Sequence, residues 1–128
     1  MLADFTITAE PERDLIRISM RGFFDADAIA RFVEVRALEH AKLRCGPNQH
    51  LTLNDIREMK IQSQDVVARF HALLADPAYR SRKLAFVVAS SLARMQLIRA
   101  VGERHASYFT SIAEAEAWLF DDRAQRAA

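Results

Sequence analysis

A single cysteine, Cys45, leaves the chain without an internal disulfide, so its stability has to come from a packed core. A lone thiol also makes a reducing compartment the expected setting. Only three glycines occur, Gly22, Gly46 and Gly102, all far apart. That spacing excludes a phosphate loop of the G-x-x-x-x-G-K type, a G-x-G-x-x-G fingerprint and a G-x-S-x-G nucleophile elbow. Three prolines exclude collagen-like and linker-like composition. A charge excess is missing too: 18 basic against 17 acidic side chains give +1, far from the balance of a nucleic-acid binder. The longest apolar run, Leu84 to Ala89, spans six residues, whereas a membrane helix needs about 20. No basic and apolar leader precedes Glu10 and Glu12, so no targeting segment is expected and the cytoplasm is the expected location. The histidines, His40, His50, His71 and His105, lack H-x-H or H-E-x-x-H spacing, and Cys45 has no cysteine partner, which argues against a metal site. No cofactor is expected either.

What the chain does have is core-forming material: 51% hydrophobic residues, eight Phe and one Trp. Its 128 residues read as one domain, with a core over about 5–120 and a frayed tail at 123–128. Phe5 to Thr8 and Leu15 to Met20 alternate apolar and polar residues and predict two half-buried strands, joined across Pro11 as a hairpin. Asp25 is placed to cap a helix from about Ala26 to Leu43, whose apolar face carries Ile29, Phe32, Val33 and Ala37. Leu51 to Asp55 predicts a short strand. A second helix follows with Val66, Val67, Phe70 and Leu74 on one face, stopped at Asp76-Pro77.

Leu84 to Ala89 is apolar without alternation, the mark of a central strand covered on both faces. Ser90 or Ser91 then caps a third helix with Met95, Leu97, Ile98 and Val101. Ser107 to Thr110 predicts the last strand. Ser111-Ile112-Ala113-Glu114 is a capping box that opens a fourth helix with Ala115, Trp118 and Leu119 inside. The order ββαβαβαβα predicts an α/β fold: a five-stranded, mostly parallel mixed sheet with four helices, antiparallel only at the N-terminal hairpin.

Two places carry candidate site residues, both where strands are expected to end, since ligands of open α/β sheets gather at strand carboxyl ends. The first is Asn54 and Asp55. The second is Ser90 and Ser91 with Arg94, where a helix amino end and an arginine fork suit an anion. From Arg80 to His105, Arg80, Arg82, Lys83, Arg94, Arg99 and Arg104 stand against Glu103 alone. Cys45 lies beside Arg44 in a loop but lacks an identifiable base and orienting group, so it reads as an incidental thiol. No catalytic residue is assigned.

The element order, together with Arg82-Lys83-Leu84-Ala85-Phe86-Val87-Val88-Ala89-Ser90-Ser91, resembles the SpoIIAA-like branch of the STAS superfamily of sulfate-transporter and anti-sigma factor antagonist domains. Tyr108 to Leu119, a strand leading into an alanine-rich helix that ends in Trp-Leu, is similar to the end of that branch. The resemblance covers roughly Phe5 to Phe120. It implies a single STAS-like domain that is a regulatory binding module and not an enzyme, with a protein partner or self-association. Some similar folds bind lipids or nucleotides, which implies a carrier of a small anionic or amphipathic ligand as the alternative. The resemblance also aligns Gln62-Ser63-Gln64-Asp65 with the Asp-Ser-Ser-Gly phosphorylation motif of anti-sigma factor antagonists. Ser63 matches the acceptor, yet the flanking aspartate and glycine are absent, and a serine before a helix is expected to be its N-cap.

Overall fold

Period-two alternation starts the fold, pairing β1 (Asp4–Glu10) antiparallel with β2 (Leu15–Gly22) from Asp4↔Arg21 to Glu10↔Leu15. The 3-10 turn Pro11–Arg13 joins them, and Asp14 closes it in the left-handed region at φ 53°. The remaining strands, β3 (Leu51–Met59), β4 (Lys83–Val87) and β5 (Ser107–Phe109), add in parallel, giving the spatial order β1-β2-β3-β4-β5. The computed structural model describes residues 2–89, 95, 98 and 106–121.

Each helix among these residues starts where a side chain satisfies a free backbone N–H. Asp25 accepts from the Ala28 amide at the start of α1 (Ala26–His40), and Ser63 accepts from Val66 at the start of α2 (Gln64–Ala75). Ser111 accepts from Glu114 at 3.2 Å to open α3 (Ile112–Leu119). The helix expected from Ser90 onward falls outside the described residues, except that Met95 and Ile98 are helical and exposed. The α/β architecture, with a five-stranded sheet antiparallel only at its N-terminal pair, is therefore the observed one.

Expected boundaries shift at several elements: the strand expected over Leu84 to Ala89 runs from Lys83 to Val87, and two further shifts have a visible cause. The first helix stops at His40 rather than Leu43, because Lys42 and Leu43 donate to carbonyls three residues back and tighten the chain into a turn. The third strand does not end at Asp55. It runs on to Met59, because Arg21 and Gly22 of β2 continue the ladder with Glu58 and Met59 past a register shift. Gly22 sits at φ +79°, and a Cβ there would run into the Leu2 carbonyl, so this position requires glycine.

The sheet divides the core in two. Leu15, Leu51, Leu53, Ala85 and Val87 face α3 and meet Ala115 and Leu119. Ile16, Ile18, Met20, Ile56, Leu84 and Phe86 face α1 and α2. On that side Phe5, Phe24, Phe32 and Phe70 pack ring against ring, three of the four pairs edge to face, at centroid distances of 5.4–6.4 Å. Trp118, expected as the buried clamp of the last helix, is only partly buried. Its ring lies 5.8 Å from Phe109 under the Lys83 ammonium, and Ala115 and Leu119 do the clamping instead.

Candidate functional site

Strand alternation decides where the expected site residues point. Asn54 and Asp55 are neighbours in mid-strand, not at a strand end, so the pleat sends them to opposite faces. Asp55 lies on the α3 side, where Arg57 grips its carboxylate through Nε at 3.0 Å and Nη2 at 2.9 Å. Burial raises the Asp55 carboxyl, but the Arg57 side chain and backbone N–H outweigh it and hold the group below the usual carboxylate range. Asp55 is thus a satisfied ion-pair member beside a shallow polar depression with Ser19 and Glu58. The two residues do not share a crevice as expected. Ser90, Ser91 and Arg94 lie outside the described residues. Ser63 is the α2 cap, with its hydroxyl 3.2 Å from the Val66 nitrogen.

Asn54 faces the other way, into an apolar cavity of about 120 Å³ between the sheet and the α1–α2 layer. Ile16, Ile18, Phe32, Phe70, Leu74 and Phe86 supply much of its wall. Of α2, only Val66 is fully buried; Val67, Phe70, Leu73 and Leu74 line the space without filling it. A polar stripe crosses this wall. His50, Thr52 and Asn54 of the β3 segment all point to the cavity, Thr52 between Ile16 and Leu84, and Asn54 between Ile18 and Phe86. Asn54 is 8% exposed, and its Oδ1 has no hydrogen-bond partner. A buried acceptor left unpaired costs on the order of 1–3 kcal/mol, so Asn54 Oδ1 lowers the stability of the fold at this point.

The stripe leads to a polar pole at the amino ends of β3 and β4. Arg36 and His40, one turn apart on α1, meet Tyr79 and His50 there. The Arg36 guanidinium stacks over Tyr79 at 4.1 Å, and the His40 ring sits 4.9 Å from both His50 and Tyr79 at steep angles. Burial lowers the pKa of both cations; the neighbouring Arg36 lowers His40 further, while Tyr79 and Asp76 partly restore Arg36. Arg36 Nε is buried without a partner, and among the described residues no carboxylate is within ion-pair distance of Arg36.

The opposite end of the cavity is saturated. Gln62 accepts from the Phe24 amide at 2.8 Å and donates to the Gly22 and Lys60 carbonyls, stapling the ends of β2 and β3. Of the expected site residues, Asn54 stands in this cavity wall with an unpaired acceptor; the other buried unpaired atom among the described residues, Arg36 Nε, lies at the amino ends of the strands, which sequence reasoning did not single out. The signals were present but undecidable: Thr52 and Asn54 alternate with Leu51 and Leu53, and Phe32, Arg36 and His40 share one helical row. Neither pattern says whether the polar side is covered.

Among the described residues no three His, Cys, Asp or Glu side chains converge on a metal position, and no helix is long and apolar enough to cross a membrane. Burial pushes the Cys45 thiol up, and the Asp14 carboxylate pushes it further, opposite to the activation a nucleophile needs.

No protein-family model matches the chain, and no curated protein matches it. Among solved structures, it is similar to an uncharacterized protein of the DUF3478 family with a SpoIIAA-like fold from Shewanella loihica PV-4. The TM-score is 0.70 with 16% sequence identity, over 93% of this chain and 96% of that one. The chain has a SpoIIAA-like fold.

Proposed function

We propose that the protein is a non-enzymatic binding module, one domain acting in the reducing cytoplasm, that holds a small amphipathic molecule between its sheet and the α1–α2 layer. The apolar cavity with unpaired polar atoms in its wall carries this reading. A deep apolar space with a few convergent polar groups is the usual form of a small-molecule site. At about 120 Å³ it approaches the roughly 150 Å³ of an apolar cavity that stays dry and accepts benzene. The unpaired Asn54 Oδ1 supports a ligand that brings a hydrogen-bond donor. Native mass spectrometry of freshly purified protein tests the reading. The expected spectrum shows a small-molecule adduct that organic extraction removes; a protein that carries no adduct and takes up no apolar probe would refute it.

Recognition of a protein partner is the second reading. Leu2 and Phe23 are exposed and paired through an isolated bridge, and exposed Ile61 precedes Gln62, which bonds to Phe24. They form an apolar corner at the carboxyl ends of β2 and β3, suited to another chain or a second copy. The same spectrum reports assembly, and a dimer weakened by Phe23→Ser would favour this reading.

A further inference from the structure

We propose that the cavity's ligand is a carboxylic acid whose carboxylate is received by Arg36 at the amino ends of the parallel strands, the end opposite to the usual one for this sheet type. The inference rests on the reading of the cavity as a small-molecule site and adds the class of molecule and its orientation.

Three observations carry it. The Arg36 guanidinium carbon lies over the Tyr79 ring, 4.1 Å from its centroid, a contact that engages the face of the group and not its N–H donors. Its Nε is buried without an acceptor, and no carboxylate among the described residues neutralises the charge: Asp76 acts on it only at longer range, its own carboxylate capping the Ala78 amide at 3.0 Å. Arg36 is only partly buried, but its Nε is shut off from water, and a desolvated donor of a cation is normally matched by an acceptor. The neighbouring His40 lies against Tyr79 and His50 and supplies no counter-charge to Arg36. The Nε and Nη donors of an arginine form a planar fork that matches the two oxygens of a carboxylate. Beside the polar stripe the wall is apolar, with Phe32 one turn earlier on α1 and Leu84 on β4, which suits an acid whose body is mostly hydrocarbon and leaves the Asn54 acceptor for a single donor group.

The test compares two probes of one chain length, octanoate and octan-1-ol, by two-dimensional NMR titration of the full chain. A charge-assisted contact should make octanoate bind about tenfold or more tighter than octan-1-ol. Arg36→Met should abolish that preference, while Arg36→Lys, which keeps the charge but loses the fork, should retain part of it. In the wild type, octanoate and not octan-1-ol should shift the Arg36 side-chain Nε–H resonance, a reading that needs no variant to fold. Equal affinity for both probes, an unmoved Nε–H signal, or a preference that survives Arg36→Met would overturn the carboxylate assignment and leave the cavity reading intact. Binding of neither probe would overturn both.

Discussion

Leu51 and Leu53 of β3 point to α3, while Thr52 and Asn54 of the same strand point to α1 and α2, and the two layers they enter are built differently. Under α3 the contacts are complete: Leu15, Ala85, Val87, Ala115 and Leu119 are all at 0% exposure. The rim of that layer is tied by ions, with Arg17 donating to Glu10 at 2.8 Å and to Glu116 of α3 at 2.6 Å. Under α1 and α2 the aromatic cluster fills one part of the layer, and a cavity with a polar stripe occupies another. A close-packed interior loses contact energy wherever a void remains. The α3 layer therefore anchors the sheet, and the α1–α2 layer gives up packing for space. One amphipathic strand serves both, because residues two apart share a face.

The largest effect that sharpens this contrast is at Leu119. Leu119→Ala on the packed side should destabilise the protein by about 2–5 kcal/mol, read from the urea midpoint. Leu73→Ala, beside a space that already exists, should cost distinctly less. Equal losses at the two positions would break the comparison. Next is the cap of α2: Ser63→Ala should cost about 0.5–2 kcal/mol and Ser63→Asp should restore it. A Ser63→Ala loss comparable to that at Leu119 would mean that α2 is docked as tightly as α3.

Asn54 supplies the third test, with the opposite sign. Asn54→Leu removes an unpaired buried acceptor at nearly constant volume, so stability should rise by about 1 kcal/mol in the same measurement. A fall would show that the Asn54 amide contributes to the apo fold.

Titration gives the smallest effect. His40 is held below its ordinary 6.5 by burial and by Arg36, with Tyr79 and His50 packed on its ring. The unfolded chain then binds the proton more readily, so stability is full above pH about 6.5 and declines as the pH falls toward the folded value. After solvent screening this amounts to under about 1 kcal/mol, and His40→Gln should remove it from a pH series of denaturation midpoints. On the packed side, the hydrogen bond from Arg17 holds Glu10 below 4.5, and Arg13 adds to it against burial. Its contribution persists above pH about 4.5 and is lost as the pH falls through the depressed value. The α1–α2 layer should thus respond to acid first; a His40→Gln series parallel to the wild type from pH 7 to 5 would contradict this.

Local patterns in the chain determined the element order. The alternation of Phe5 to Thr8 and of Leu15 to Met20, and the caps Asp25, Ser63 and Ser111, act over a few residues, so strands and helix starts were legible without neighbours. The run Leu84 to Ala89 marked a strand covered on both faces, and the strand found there, Lys83–Val87, does lie between the two core layers. How far β3 extends was not legible. Arg57-Glu58-Met59 has no strand pattern of its own and is held extended by Arg21 and Gly22, residues more than thirty positions earlier. The site was less legible still. Thr52 and Asn54 alternate like the solvent side of a half-buried strand, and Arg36 and His40 like the edge of an amphipathic helix. Only when α1 and α2 cover that face do these polar groups gather around one cavity, with Asn54 Oδ1 and Arg36 Nε buried and unpaired. Sequence spacing fixes which residues share a face of an element, but whether that face meets water or another layer depends on contacts between distant segments, and here those contacts turned surface-like polarity into the wall of a cavity.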